Sequence, residues 1–151
     1  MALSESPKSA SHRILVIDDN PGDLKLVRLS WSQCPDVLVH LSHLEETRDA
    51  IKFLRAVEPY RDCVLPDLIL LDYKMPLDGG LALVDIKGDP DFRHLPVLVY
   101  TASANPEDYL DAYRRGANCC FRKPVDLDSY FNLICHIADH WLRRAVLPLP
   151  R

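Results

Sequence analysis

Short apolar runs that alternate with helix-spaced stretches restrict this chain to a strand–helix repeat. Residues 14–17 read Ile-Leu-Val-Ile, 68–71 Leu-Ile-Leu-Leu, 97–100 Val-Leu-Val-Tyr and 119–121 Cys-Cys-Phe, and Val37-Leu38-Val39 offers a fifth run. Runs this short and this rich in branched residues suit strands buried on both faces. Between them, Asn20-Pro21-Gly22-Asp23 and Asn105-Pro106-Glu107-Asp108 carry the same helix-start signal: a capping Asn, a Pro at the first helical position and an acid in the first turn. Leu24, Val27 and Trp31 recur on one face of the first helix, and Ala50, Ile51, Leu54 and Val57 mark another within Glu45 to Val57. A short helix is predicted over Leu81 to Ile86, closed by Gly88 and Pro90, and Asp126 opens the last one. Five strand–helix repeats predict an α/β domain, a parallel sheet with helices on both faces.

The chain's 151 residues suffice for one domain. Hydrophobic residues at 48% and charged residues at 26% give a globular balance, enough for a core without disulfide or metal staples. A formal net charge of −4 argues against a nucleic-acid binder, which carries a basic patch or stripe. No apolar run approaches bilayer-spanning length, and Met1 to Ser11 hold no signal-peptide stretch, so a cytoplasmic location is the expectation. The five cysteines include no Cys-x-x-Cys pair and read mainly as small hydrophobes, with adjacent Cys119 and Cys120 a weak redox candidate. Residues 1–11 and 144–151 read as tails around a domain at 12–143.

The ends of the runs carry the chemistry. Asp18 and Asp19 follow the first run, Asp72 ends the second, Thr101 the third, and Lys123 lies just past the fourth. In open α/β sheets ligands bind outside the C-terminal strand ends, so these side chains are expected to converge. Three carboxylates brought together repel one another unless a cation intervenes, and a hard ion such as Mg²⁺ fits oxygen ligands of this kind. Lys123 offers a point charge to phosphoryl oxygens, Thr101 a hydroxyl donor, and a carboxylate can be a nucleophile. Those are the parts that phosphoryl transfer uses. Any one of these residues alone reads more simply as a turn former or a solvated charge; the placement of all five carries the inference.

Ile14-Leu-Val-Ile-Asp-Asp-Asn20, Asp67-Leu-Ile-Leu-Leu-Asp-Tyr-Lys-Met-Pro76, Val99-Tyr-Thr-Ala102, Gly116-Ala117 and Lys123-Pro124 together resemble the receiver domains of two-component response regulators. The resemblance covers about residues 12–143. It implies a flavodoxin-like (βα)5 doubly wound sheet with strand order 2-1-3-4-5. It implies that Asp72 is the phospho-acceptor, and that Asp18, Asp19, Asp72 and the backbone carbonyl of Lys74 hold Mg²⁺. Lys123 would pair with the phosphoryl oxygens, Thr101 would shift towards them, and the Lys123–Pro124 bond would be cis. Asp19-Asn20-Pro21-Gly22-Asp23, the stretch from Gly116 to Cys119, Pro124-Val125-Asp126-Leu127 and Trp141 look like the small single-domain regulators of phytochrome-type histidine kinases. On that basis the chain is expected to be a stand-alone receiver rather than an enzyme. A sensor histidine kinase of that type would phosphorylate it, and it would signal through protein contacts. No nucleic acid or membrane is expected as a partner. Tyr130, Leu133, Ile137 and Trp141 lie beside the stripe of Phe131, Ile134 and Ala138, which suits either a wide core face or a homodimer through the last helix.

Three positions depart from the family pattern. Cys120 stands where receivers usually have Tyr or Phe, and Phe121 should face the other side of its strand. The usual coupling of Thr101 to an aromatic ring is therefore in doubt. The side chain of Lys74 resembles that of slowly dephosphorylating members. Asp78-Gly79-Gly80 replaces the commoner Met-Asp-Gly. Two other readings are an aspartyl phosphatase, which would need an acid where Lys74 stands, and a receiver-fold module that is never phosphorylated. His136 and His140 lie four apart without a third ligand in view and read as surface residues.

Overall fold

A computed structural model describes residues 11–34, 36–73 and 79–148. Five parallel strands form one sheet: β1 (Ser11–Ile17), β2 (Leu38–Leu44), β3 (Leu68–Asp72), β4 (Val97–Thr101) and β5 (Cys119–Arg122). Their order is β2-β1-β3-β4-β5, the expected doubly wound arrangement. The helices are α1 (Pro21–Ser32), α2 (Ala50–Leu54), α3 (Gly79–Gly88), α4 (Pro106–Arg114) and α5 (Leu127–Ile137). A 3₁₀ turn, Thr47–Asp49, leads into α2, and α5 continues as a π-helical segment, Ala138–Arg144. Among the described residues, no helix is long and apolar enough to cross a membrane. Lys74 and Asp78 lie outside the described residues.

Strand alternation splits the apolar residues into two cores. Leu15, Ile17, Ile69, Leu71, Val97 and Val99 face α2, α3 and α4. Ile14, Val16, Leu68, Leu70, Leu98 and Tyr100 face α1 and α5. Every residue of β3 and β4 is buried, which is why those runs read as continuous. Each fully buried Leu or Ile contributes about 1.5–3 kcal/mol of transfer free energy. The same alternation carries Asp18 and Asp72, one step beyond Val16 and Leu70, to the α1/α5 side of the strand ends.

The helix starts follow their caps. The Asn20 side chain accepts from the Gly22 and Asp23 amides, that of Asn105 from the Glu107 amide, and that of Asp126 from the Ser129 amide. Gly116 follows α4 with φ 109°, and a Cβ there would sit 2.8 Å from Lys87 Cγ, so glycine is required twice over.

Three local expectations change. β2 runs to Leu44, well beyond Val39, because an edge strand alternates polar and apolar residues and lacks the unbroken signature. The helix expected over Glu45 to Val57 shortens to a 3₁₀ turn and five residues, since Ala56 turns left-handed at φ 52°. The expected cis bond at Lys123–Pro124 is trans; the cis bond among the described residues is Glu58–Pro59. The lysine's direction is set instead by its amide, which donates to the Thr101 carbonyl at 2.8 Å, and by contacts of its side chain.

The wide apolar face of the last helix is spent largely on the core. Tyr130, Ile134, Ile137, Ala138 and Leu142 are buried, while Phe131, Leu133, Cys135 and Trp141 pack half-buried against them. His140 meets the Trp141 ring edge-on, with centroids 5.4 Å apart.

Candidate functional site

The ends of β1, β3 and β5 bring four of the five expected side chains together. Carboxylate oxygens of Asp18, Asp19 and Asp72 lie within 4.8 Å of one another, with Asp18 and Asp72 buried and Asp19 exposed. Lys123 reaches this group from the end of β5. Its Nζ lies 3.0 Å from Asp72 Oδ2 and 3.3 Å from Asp18 Oδ2, and its side chain is only 8% exposed. Asp19, Asp72 and Lys123 line a cleft of about 450 Å³ together with Pro124, Val125 and Leu127.

Two residues join the cluster that sequence reasoning did not assign to it. Asp23 Oδ2 is the nearest acceptor to Lys123 Nζ, at 2.7 Å. In sequence it reads only as a first-turn helix acid, which already accounts for it locally. Tyr100 reads as a buried strand residue. Its hydroxyl donates to Asp18 Oδ2, and its ring lies beneath the Lys123 ammonium, 4.3 Å from Nζ to centroid.

Asp18 is therefore held at both oxygens. Oδ1 accepts from the Asn20 amide at 2.9 Å, and Oδ2 receives Tyr100 and Lys123. His43 of β2 donates through Nε2 to the Asp18 carbonyl at 2.9 Å, which ties the edge strand to the same corner.

Four carboxylates surround one ammonium, so the site carries excess negative charge. Burial alone would lower the Lys123 value. The hydrogen bond with Asp23 and the charges of Asp18, Asp72 and Asp23 outweigh it and hold the lysine above its ordinary 10.5. Burial, then the Asp18 charge and hydrogen bond, push the Tyr100 hydroxyl far up, so it stays a donor. An all-oxygen set with uncompensated negative charge is what a hard divalent cation takes.

Thr101 is buried at the end of β4, and its Oγ1 accepts from the Ser103 amide at 3.3 Å. Ser103 in turn donates its hydroxyl to Asp108 and receives Tyr109's hydroxyl at its carbonyl, at 2.6 Å. Cys120 packs on the α2/α3/α4 core and Phe121 on the opposite one, as the alternation requires. The Cys120 amide donates to the Tyr113 hydroxyl at 3.0 Å, so an aromatic from α4 meets this strand position. Burial pushes the Cys120 thiol up to about 11, which disfavours thiolate chemistry there.

Comparison with known proteins places these features in a family. The response regulator receiver domain family matches residues 14–134. The response regulator Rcp1 of Synechocystis sp. is 33% identical over 138 residues, spanning 89% of this chain and 92% of that protein. The crystal structure of the phosphorylated cyanobacterial phytochrome response regulator RcpA superposes with a TM-score of 0.86 at 31% identity, covering 93% of this chain and all of that one. The Mn²⁺-bound form of Rcp1 gives 0.84 at 32% identity, over 91% and 99% of the two chains.

Proposed function

The chain belongs to the response regulator receiver family, and we propose that Asp72 is the aspartate on which it accepts a phosphoryl group. Receivers are signalling proteins whose general function is phosphorylation on an aspartate by a kinase, and they bind a divalent metal in an acidic pocket. The observation that carries the assignment is the meeting of Asp18, Asp19 and Asp72 with Lys123 at the C-terminal strand ends.

In this reading a carboxylate oxygen of Asp72 bonds to phosphorus while the bond from phosphorus to the kinase's histidine nitrogen breaks. The imidazole leaves with the electron pair and is protonated. Asp18, Asp19 and Asp72 would hold a Mg²⁺ ion, which when bound would neutralise charge on the phosphoryl oxygens. Lys123 has three N–H donors, directed at Asp18, Asp23 and Asp72 in this structure. One of them turns to a phosphoryl oxygen, so Asp23 acts as the lysine's resting partner. Thr101 exchanges its Ser103 contact for the phosphoryl group, and the Ser103–Asp108–Tyr109 contacts pass the movement into α4. This route needs no ring at position 120.

The phosphodonor we infer is a sensor histidine kinase of the phytochrome type, supported by the likeness to Rcp1 and RcpA. A homodimer through the last helix would have to form from the half-buried Phe131, Leu133 and Trp141, because the rest of that face packs on the core. The test of the main reading is incubation with a small-molecule phosphodonor and Mg²⁺. A gain of one phosphoryl group, mapped to Asp72 and lost on chelation of the metal, is expected. Label on another residue, or none, overturns it.

A further inference from the structure

The geometry points to Tyr100 as a positioning residue that sets cation affinity by fixing Asp18; this rests on the reading of Asp18, Asp19 and Asp72 as the cation site. Asp18 and Tyr100 sit on β1 and β4, with β3 between them. Two strand spacings amount to roughly 10 Å, a gap that a short side chain at position 100 would leave open. Alternation puts both residues on the α1/α5 face, so the tyrosine reaches across beneath Asp72 to the far carboxylate.

Asp18 has few ways to move once this contact is made. Tyr100 is fully buried, its ring packed in the core, and its hydroxyl occupies Oδ2 together with Lys123. The Asn20 amide holds one lone pair of Oδ1. What remains for a cation is the second lone pair of Oδ1, in a fixed orientation. The ring also carries the Lys123 ammonium on its face, which keeps that charge over Asp18 and Asp72. One side chain thus ties the buried acid on β1 to the lysine on β5.

Partners that orient metal-binding carboxylates typically change metal affinity by about 10–100-fold when removed. Tyr100→Phe keeps the ring and deletes the contact with Asp18. Tyr130→Phe is the matched control, since the Tyr130 hydroxyl is buried nearby with no hydrogen-bond partner among the described residues. Two measurements are made on each protein: titration of the phosphoryl-free chain with Mn²⁺, followed by the signal of free Mn²⁺, and the Mg²⁺ dependence of phosphorylation by a small-molecule donor.

Tyr100→Phe is expected to weaken Mn²⁺ binding about tenfold or more. It should raise the half-saturating Mg²⁺ by a similar factor while the rate at saturating Mg²⁺ stays near that of the wild type. Tyr130→Phe should match the wild type in both. Affinity within twofold of the wild type in Tyr100→Phe overturns the inference, and so does an equal loss in both variants, which would mark a general loosening of the core. A wild type that binds Mn²⁺ but takes no phosphoryl group sinks the proposed function and leaves the Tyr100 result standing.

Discussion

Asp72→Asn is expected to end phosphoryl acceptance while leaving the fold at least as stable as the wild type's. The amide keeps the shape of the carboxylate but is not a nucleophile of comparable strength, and neither Asp18 nor Asp19 lies at the end of β3 to replace it. The stability half of the result follows from charge. Asp72 is 6% exposed and shares its corner with three other carboxylates and one ammonium. Removing its charge costs one contact of Lys123, which keeps Asp18 and Asp23, and relieves repulsion among the acids that remain. Unfolding without divalent cation should therefore give a stability equal to the wild type's or higher by about 1 kcal/mol. With Mg²⁺ the order should reverse. A ligand that binds only the native state adds about 2.7 kcal/mol at a hundredfold excess over its Kd, and the variant has lost a ligand. A variant that still takes up phosphoryl groups stoichiometrically would remove Asp72 from the centre of the mechanism.

The parts of this site that are legible in the sequence share one property. Asp18, Asp72 and Thr101 each end an unbroken apolar run, and Lys123 follows one closely, so strand recognition alone places them at one edge of the sheet. β2 reads short because its edge position gives an alternating pattern, in which His40 and Ser42 interrupt the apolar residues. Asp23 and Tyr100 escape for different reasons. Asp23 has a sufficient local explanation as a first-turn acid, and only the fold reveals that α1 leans it onto Lys123. Tyr100 looks like core from its neighbours and is core over its ring, while its hydroxyl acts two strands away. Contacts of that reach depend on strand order, and no local pattern encodes strand order. The expected cis bond at Lys123–Pro124 shows the converse. The lysine points at the acids without it, held by the Thr101 carbonyl at its amide and by three carboxylates at its tip.

Lys123→Met should be the most damaging single substitution for stability at this site. Methionine keeps the length and the apolar stem, so packing over the Tyr100 ring changes little. The ammonium's loss leaves Asp18, Asp23 and Asp72, at 0–20% side-chain exposure, without a counter-charge. Breaking a buried pair by removing one partner typically costs 3–5 kcal/mol; because Asp19 opens the cluster to water, the lower end, about 3 kcal/mol at pH 7, is expected. Urea unfolding measures it. Divalent cation should return much of the loss to the variant, since the vacated acids gain another counter-charge. The pH dependence gives an independent check. The folded lysine titrates above its ordinary 10.5. Its stabilisation is thus fully present below the unfolded value and disappears as pH rises through the folded one. The gap between wild type and variant should stay constant up to about pH 10 and narrow above it. The alkaline loss from Tyr100, neutral when folded and ionised when unfolded, occurs in both proteins and cancels in the difference. Phosphoryl acceptance should slow about a hundredfold or more, the usual cost of removing a preorganised donor to developing charge. A variant within 1 kcal/mol of the wild type at pH 7 would mean that the acids already share protons or water, and that Lys123 serves catalysis without holding the site together.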